Sequence, residues 1–199
     1  MRCRVKKRLH RASARRRTAA RKKTSPAAAR SRSGSAAIEF AFVAPIFFVF
    51  LMGTMESGII FLGNFVLQNA TADAARQIRT GQVASNGTSQ AEFRTLVCNG
   101  IAPLLSCDSN LQIDVETFAN FGSASVTSPL LTDGTLNTAL NNWSPGTVCS
   151  IVLVRSFYTW NVATPLLTPF LVNMSGDNFL MSAAVAFRNE PYDTSVSGC

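Results

Sequence analysis

The chain has 199 residues, 47% of them hydrophobic, and a formal net charge of +8. That charge is split unevenly: residues 1–34 hold 14 of the 19 Lys and Arg and no acidic residue, so residue 35 onward carries 5 basic against 11 acidic residues, a net of −6. The length allows one modest domain, and several enzyme classes are disfavoured because the one His, His10, lies in the basic tract and no Walker or dinucleotide Gly-rich loop is present.

A tract of this kind is a nucleic-acid arm, a membrane-surface tail or a targeting segment. Residues 1–33 have no aromatic side chain for base stacking, so a nucleic-acid contact would be nonspecific. The tract ends in Arg30-Ser-Arg-Ser-Gly34-Ser35-Ala-Ala-Ile-Glu39-Phe40, and sixteen uncharged residues, Phe40 to Met55, follow. As a helix this run is about 24 Å long, slightly short of the roughly 30 Å hydrocarbon core. Beyond Glu56 the apolar pattern resumes from Gly58 to Leu67. Residues 38–62 therefore read as one spanning helix, with a fully buried helix of a soluble protein as the alternative. Flanking Lys and Arg stay cytoplasmic, which places the bulk of the chain on the other side. A secretory signal peptide puts its cleavage site after the apolar core; here the best cleavage signal precedes it. Pro45 inside the span is expected to kink the helix, and Gly53 and Gly58 lack the spacing of a tight helix pair.

The helix should continue outside the membrane to Gly81, with small residues such as Ala70 and Ala74 on its packing stripe. Residues 86–89 form a loop, and Ser89 with Glu92 predicts a capping box for a helix over 90–104. The period then changes to two: Leu111, Ile113, Val115 and Thr117 alternate with Gln112, Asp114 and Glu116, a strand with one wet face. Asp114 and Glu116 are then solvated charges rather than a catalytic carboxylate pair. Residues 123–143, rich in Ser, Thr, Gly and Asn, read as a surface excursion. A strand is expected over 148–160, a loop or short helix over the Pro-interrupted 164–172, and a last strand over 179–188. The predicted architecture is α+β: a long N-terminal helix packed on a small antiparallel sheet.

The junction resembles the prepilin signal of type IV pilins and of the Tad system: a Gly, four residues, then a Glu opening an apolar helix. The stretch Glu39-Phe-Ala-Phe-Val-Ala-Pro45-Ile is similar to the opening of TadE-like proteins. Glu56-Ser-Gly58, Ala72-Asp-Ala-Ala-Arg76 and the ending Phe187-Arg-Asn-Glu-Pro-Tyr192 also resemble that family, so the likeness runs from about residue 34 to 192. It implies a pilin-like fold, no enzymatic activity, no cofactor, and cleavage between Gly34 and Ser35 by a TadV-like prepilin peptidase. It divides the chain into a basic leader (1–34), a transmembrane helix with its extension (35–80) and an extracytoplasmic domain (81–199). Glu39 becomes the fifth residue after cleavage and, by resemblance, pairs with the N-terminal amine of a neighbouring subunit; a simple headgroup anchor is the alternative. Phe40 stands where major Flp pilins usually have Tyr, which favours a minor component. Implied partners are a TadF-like pseudopilin, the Flp pilin and the Tad assembly platform. The implied location is the bacterial inner membrane, with the N-terminus cytoplasmic. An uncleaved single-pass protein whose basic arm binds nucleic acid or anionic lipid is the competing function.

Outside the leader, which contains Cys3, the chain has Cys98, Cys107, Cys149 and Cys199, and three pairings are open. The family likeness favours Cys98–Cys107, where a pair recurs in TadE-like proteins, and Cys149–Cys199 is what then remains. A four-thiolate metal site is the other reading of the same residues.

Overall fold

A computed structural model describes residues 27–102, 104–123, 126–193 and 199. The basic tract over 1–26, with Cys3 and His10, lies outside the described residues. The chain divides into two units, Met1–Val43 and Ala44–Cys199.

Helix α1, Ala27–Arg79, begins in the first unit and ends in the second, and Pro45 does not interrupt it. Its C-terminal part is one-sided: Ile60, Leu67, Ala70, Ala74 and Ile78 are buried at helical spacing and join the main core. Small side chains let neighbours come close. A Cβ on Gly100 would lie 2.6 Å from the Ala70 Cβ, and one on Gly63 would meet the tip of Met181 at 2.9 Å. The helix stops at Gly81, whose φ of 77° is left-handed and whose missing side chain makes room for the Tyr192 ring. The chain's ending thus closes on the end of α1. The Glu190 N–H donates to the Arg79 carbonyl at 2.9 Å, satisfying one of the carbonyls a helix end leaves open.

A short helix α2, Gln82–Asn86, which the sequence did not predict, leads to α3, Gln90–Ile101. The expected capping box is present: the Ser89 hydroxyl accepts from the Glu92 N–H while the Ser89 N–H donates to the Glu92 carboxylate at 2.7 Å. These Ser89 bonds, the backbone one foremost, hold the Glu92 carboxyl below its ordinary value. Phe93, Val97 and Ile101, four residues apart, carry α3 into the core.

Strands β1 (Leu111–Phe118), β2 (Ile151–Asn161) and β3 (Asn178–Arg188) form one antiparallel sheet in that order, with Val115 opposite Val154 and Val154 opposite Val185. The α+β architecture is as the sequence implies. Two expectations are corrected. The second face of β1 is not wet, because Asp114 is completely buried. The excursion after β1 is not mere surface: it folds back over that face, packing Leu140 against Phe157 and Leu180. The physical reason is that β2 is buried along Ile151–Tyr158, so both faces of the sheet need cover. Loop backbone supplies the polar partners: Gln112 Nε2 donates to the Asn137 carbonyl and Arg155 Nη1 to the Thr127 carbonyl, both at 3.0 Å.

Arg155 sits at the middle of β2 and is 2% exposed. Its Nη2 lies 2.6 Å from Asp114 Oδ2 and 2.9 Å from Glu116 Oε1, and Nε reaches the same Asp114 oxygen at 3.0 Å. The other Asp114 oxygen accepts from the backbone and side-chain N–H groups of Asn142 at 2.9 and 2.8 Å. Every charge is thereby paired and the network ties β1, β2 and the loop together.

Cys98 is bonded to Cys107 and Cys149 to Cys199. Beside the second bond, buried Asn189 donates to the carbonyls of Pro145 and Thr147 and so holds the segment before Cys149 to the end of β3.

Removing one partner of a buried ion pair strands the other charge, at a cost of about 3–5 kcal/mol. Arg155→Met should therefore destabilise the detergent-solubilised chain by about that amount in denaturant unfolding. The double variant Arg155→Met/Asp114→Leu should recover much of the loss, and equal loss in single and double variants would contradict the pairing.

Candidate functional site: the anchor helix and its junction

The residues singled out at the junction all lie on α1. Gly34 is helical and exposed, its φ is not left-handed, and a Cβ there would meet nothing within 4 Å. The fold therefore makes no steric or conformational demand for glycine at this position, although glycine inside a helix costs about 1 kcal/mol relative to Ala. One turn on, the Ser35 hydroxyl donates to Glu39 Oε1 at 3.1 Å, and both residues are exposed. Phe40 is 68% exposed.

From Ile38 to Phe50 the apolar side chains of α1 are largely uncovered, among them Phe42, Ile46, Phe47 and Phe48. Among the described residues one helix is long and apolar enough to cross a membrane; its best 18-residue window has a mean hydropathy of 2.2 and none of it is buried. The alternative of a buried helix in a soluble core does not fit such a surface.

Glu56 interrupts this apolar surface, yet it is only 6% exposed. Its two oxygens accept the backbone N–H groups of Ala163 and Thr164 at 2.5 and 3.1 Å, from the connection between β2 and β3. That connection continues as a 3-10 turn, Pro165–Leu167, and a short helix α4, Thr168–Leu171. Leu167 packs on Gly53, where a Cβ would lie 2.9 Å from its Cδ1. Glu56 and Gly53, on successive turns of α1, thus seat one loop. Sequence reading found Glu56 as an interruption of the apolar run and as part of the family-like Glu56-Ser-Gly58. Its donors were not identified, and the signal for them was that a carboxylate in an apolar run must find partners.

Asp114 and Glu116 are both bound to Arg155, which makes them structural ion-pair partners. Cys98, Cys107, Cys149 and Cys199 are joined in two disulfides, so the four-thiolate metal reading is set aside. Among the described residues no cluster of three His, Cys, Asp or Glu side chains is placed to hold a metal.

Glu56→Ala leaves two N–H groups of the connecting loop without acceptors, a loss of about 1–3 kcal/mol for each buried donor that water cannot reach. The expected result is faster amide hydrogen exchange confined to residues 163–172; unchanged exchange there would show that Glu56 does not hold the loop.

No curated protein and no solved structure matches the chain. The family match that exists covers the anchor helix and does not include the ending Phe187–Tyr192. It begins at Gly34 and closes at Arg76: over these residues, 34–76, the chain matches the model of TadE-like proteins.

Proposed function

We propose that the chain is a pseudopilin: a membrane-anchored, non-enzymatic component of Tad (Flp) pilus assembly, matured by prepilin peptidase cleavage between Gly34 and Ser35. The observation that carries this reading is the family match over 34–76, which opens on the glycine itself. A glycine for which the fold has no use, set in a helix that glycine weakens, is best understood as a residue read by another protein. Cleavage there removes all 14 positive charges of the leader. Each basic residue near an anionic leaflet is worth about 1 kcal/mol of surface attraction, so the leader is a strong tether and its loss frees the N-terminus.

Cleavage also creates an ammonium group on Ser35, one helical turn from Glu39. In the present structure Glu39 bonds its own Ser35 hydroxyl. In assembly it exchanges that contact for the amine of a neighbouring subunit, which sets the axial register between anchor helices. The basic tract keeps the N-terminus in the cytoplasm and the disulfide-bearing domain outside the inner membrane, a compartment that permits such bonds. The working partners are the TadV-like peptidase, a TadF-like pseudopilin, the Flp pilin and the assembly platform.

N-terminal sequencing of the protein recovered from membranes should begin at Ser35, and Gly34→Ala should leave the precursor uncut. A membrane pool that retains residues 2–33 would favour the uncleaved protein with a nucleic-acid- or lipid-binding arm. Glu39→Ala should still be processed while piliation fails, and normal piliation would reduce Glu39 to a headgroup anchor.

A further inference from the structure

The connection between β2 and β3 has three features that its role as a link does not explain. Between Arg155 and Asp177 the sequence carries no charge, and its centre reads Pro165-Leu-Leu-Thr-Pro-Phe-Leu171. Its apolar tip points away from the domain: Leu166 is 67% and Phe170 84% exposed, the latter more than any large apolar side chain of α1. Finally, Leu167, Phe170 and Leu171 share one apolar groove with Val49, Phe50 and Thr54 of the anchor helix.

We propose that residues 162–172 form a lipid-inserting wedge, a second membrane contact that enters the leaflet adjoining the domain beside α1 and offers Leu166 and Phe170 to the acyl chains. The inference rests on α1 spanning the membrane. Continuity with that surface selects lipid as the occupant. Phe50 and Met52, at the level of the wedge, are exposed, and so are Ile59, Phe61, Leu62 and Phe65 beyond it. The wedge therefore lies against a stretch of α1 with uncovered apolar side chains on either side along the axis.

The depth requirement points the same way. The uncharged run that ends at Met55 is about 24 Å long, against a hydrocarbon core of roughly 30 Å. A lipid-facing surface extending past Glu56 makes up the difference, provided the carboxylate is kept out of lipid. The wedge does this by enclosing Glu56 and donating the Ala163 and Thr164 N–H groups to it.

Irregular backbone at membrane depth must have its polar groups satisfied, and this segment is economical in them. Pro165 and Pro169 have no N–H to satisfy. Ala163 and Thr164 donate to Glu56, Leu167 donates to the Thr164 carbonyl and Val172 to the Thr168 carbonyl. The base is fixed to β3 by the Asn173 side chain, which accepts from the Leu180 N–H at 2.6 Å and donates to its carbonyl at 3.2 Å. A short apolar segment held at both ends suits shallow insertion at an interface.

The test places a fluorophore at the tip. Full-length Phe170→Trp, and separately Leu166→Trp, are reconstituted at low density in phosphatidylcholine/phosphatidylglycerol vesicles, with and without phosphatidylcholine brominated high on the acyl chain. Wild type supplies the background of Trp143 and Trp160, and Phe48→Trp reports the span. The wedge requires blue-shifted emission from the added Trp at 170 or 166 and its loss to brominated lipid. Quenching at 48 with water-like, unquenched emission at both 166 and 170 overturns the wedge and leaves the spanning helix intact. No quenching at 48 overturns the spanning reading, and the wedge with it. Blue-shifted emission at 166 and 170 that bromine does not quench, with the chain running as a dimer, overturns lipid in favour of a second copy.

Discussion

The structure depends on one helix meeting two different surroundings. Along Ile60 to Ile78, α1 presents a stripe of Leu, Ile and three alanines to a protein core that includes α3 and all three strands. From Ile38 to Ile59 its apolar side chains are largely uncovered. Packing in the first region demands a small residue at Gly100, where one added methyl group would collide with Ala70. The domain is therefore built on the helix, and its position along α1 follows from where the stripe begins.

Two polar anchors convert that packing into one definite arrangement. Arg155 selects Asp114 and Glu116 across the β1–β2 pair, and Asn142 brings the long loop onto the same carboxylates. A strand slipped by one residue would turn Arg155 to the other face of the sheet, away from Asp114 and Glu116. Glu56 does the equivalent for the β2–β3 connection. In both cases burial is affordable because both oxygens of the buried carboxylate, Asp114 or Glu56, have donors, and the cost of leaving one unpaired gives the fold its specificity.

What the sequence revealed follows from how local each signal is. The capping box at Ser89 and Glu92, the glycine stop at Gly81 and the alternation of β1 all lie within a few residues, and all were legible. The long apolar helix was legible from its uncharged run. The polarity of Asp114 was misread because a period-two pattern equates polar with solvated, and its partner lies 41 residues away. An arginine inside the apolar run Ile151–Tyr158 was the one hint. The acceptor role of Glu56 was hidden for the same reason, its donors being 107 and 108 residues distant. The loop over 123–143 was read as surface from its Ser, Thr, Gly and Asn content, yet its backbone carbonyls are what Gln112 and Arg155 use. At the junction, the local motif named Gly34 and Glu39, and the structure adds that the glycine has no structural task.

The two disulfides differ in reach, with sequence separations of 9 and 50. Because synthesis runs from the N-terminus, the Cys98–Cys107 pair is complete while β2 and β3 are still unmade. The Cys149–Cys199 pair must wait until both strands exist and have been brought together. The first bond can thus stabilise the turn after α3 as an early local nucleus. The second acts as a late latch, closing a long loop whose entropy the finished sheet has already reduced. Oxidation of this chain then has a built-in order, and an oxidant acting too early would meet Cys149 without its proper partner.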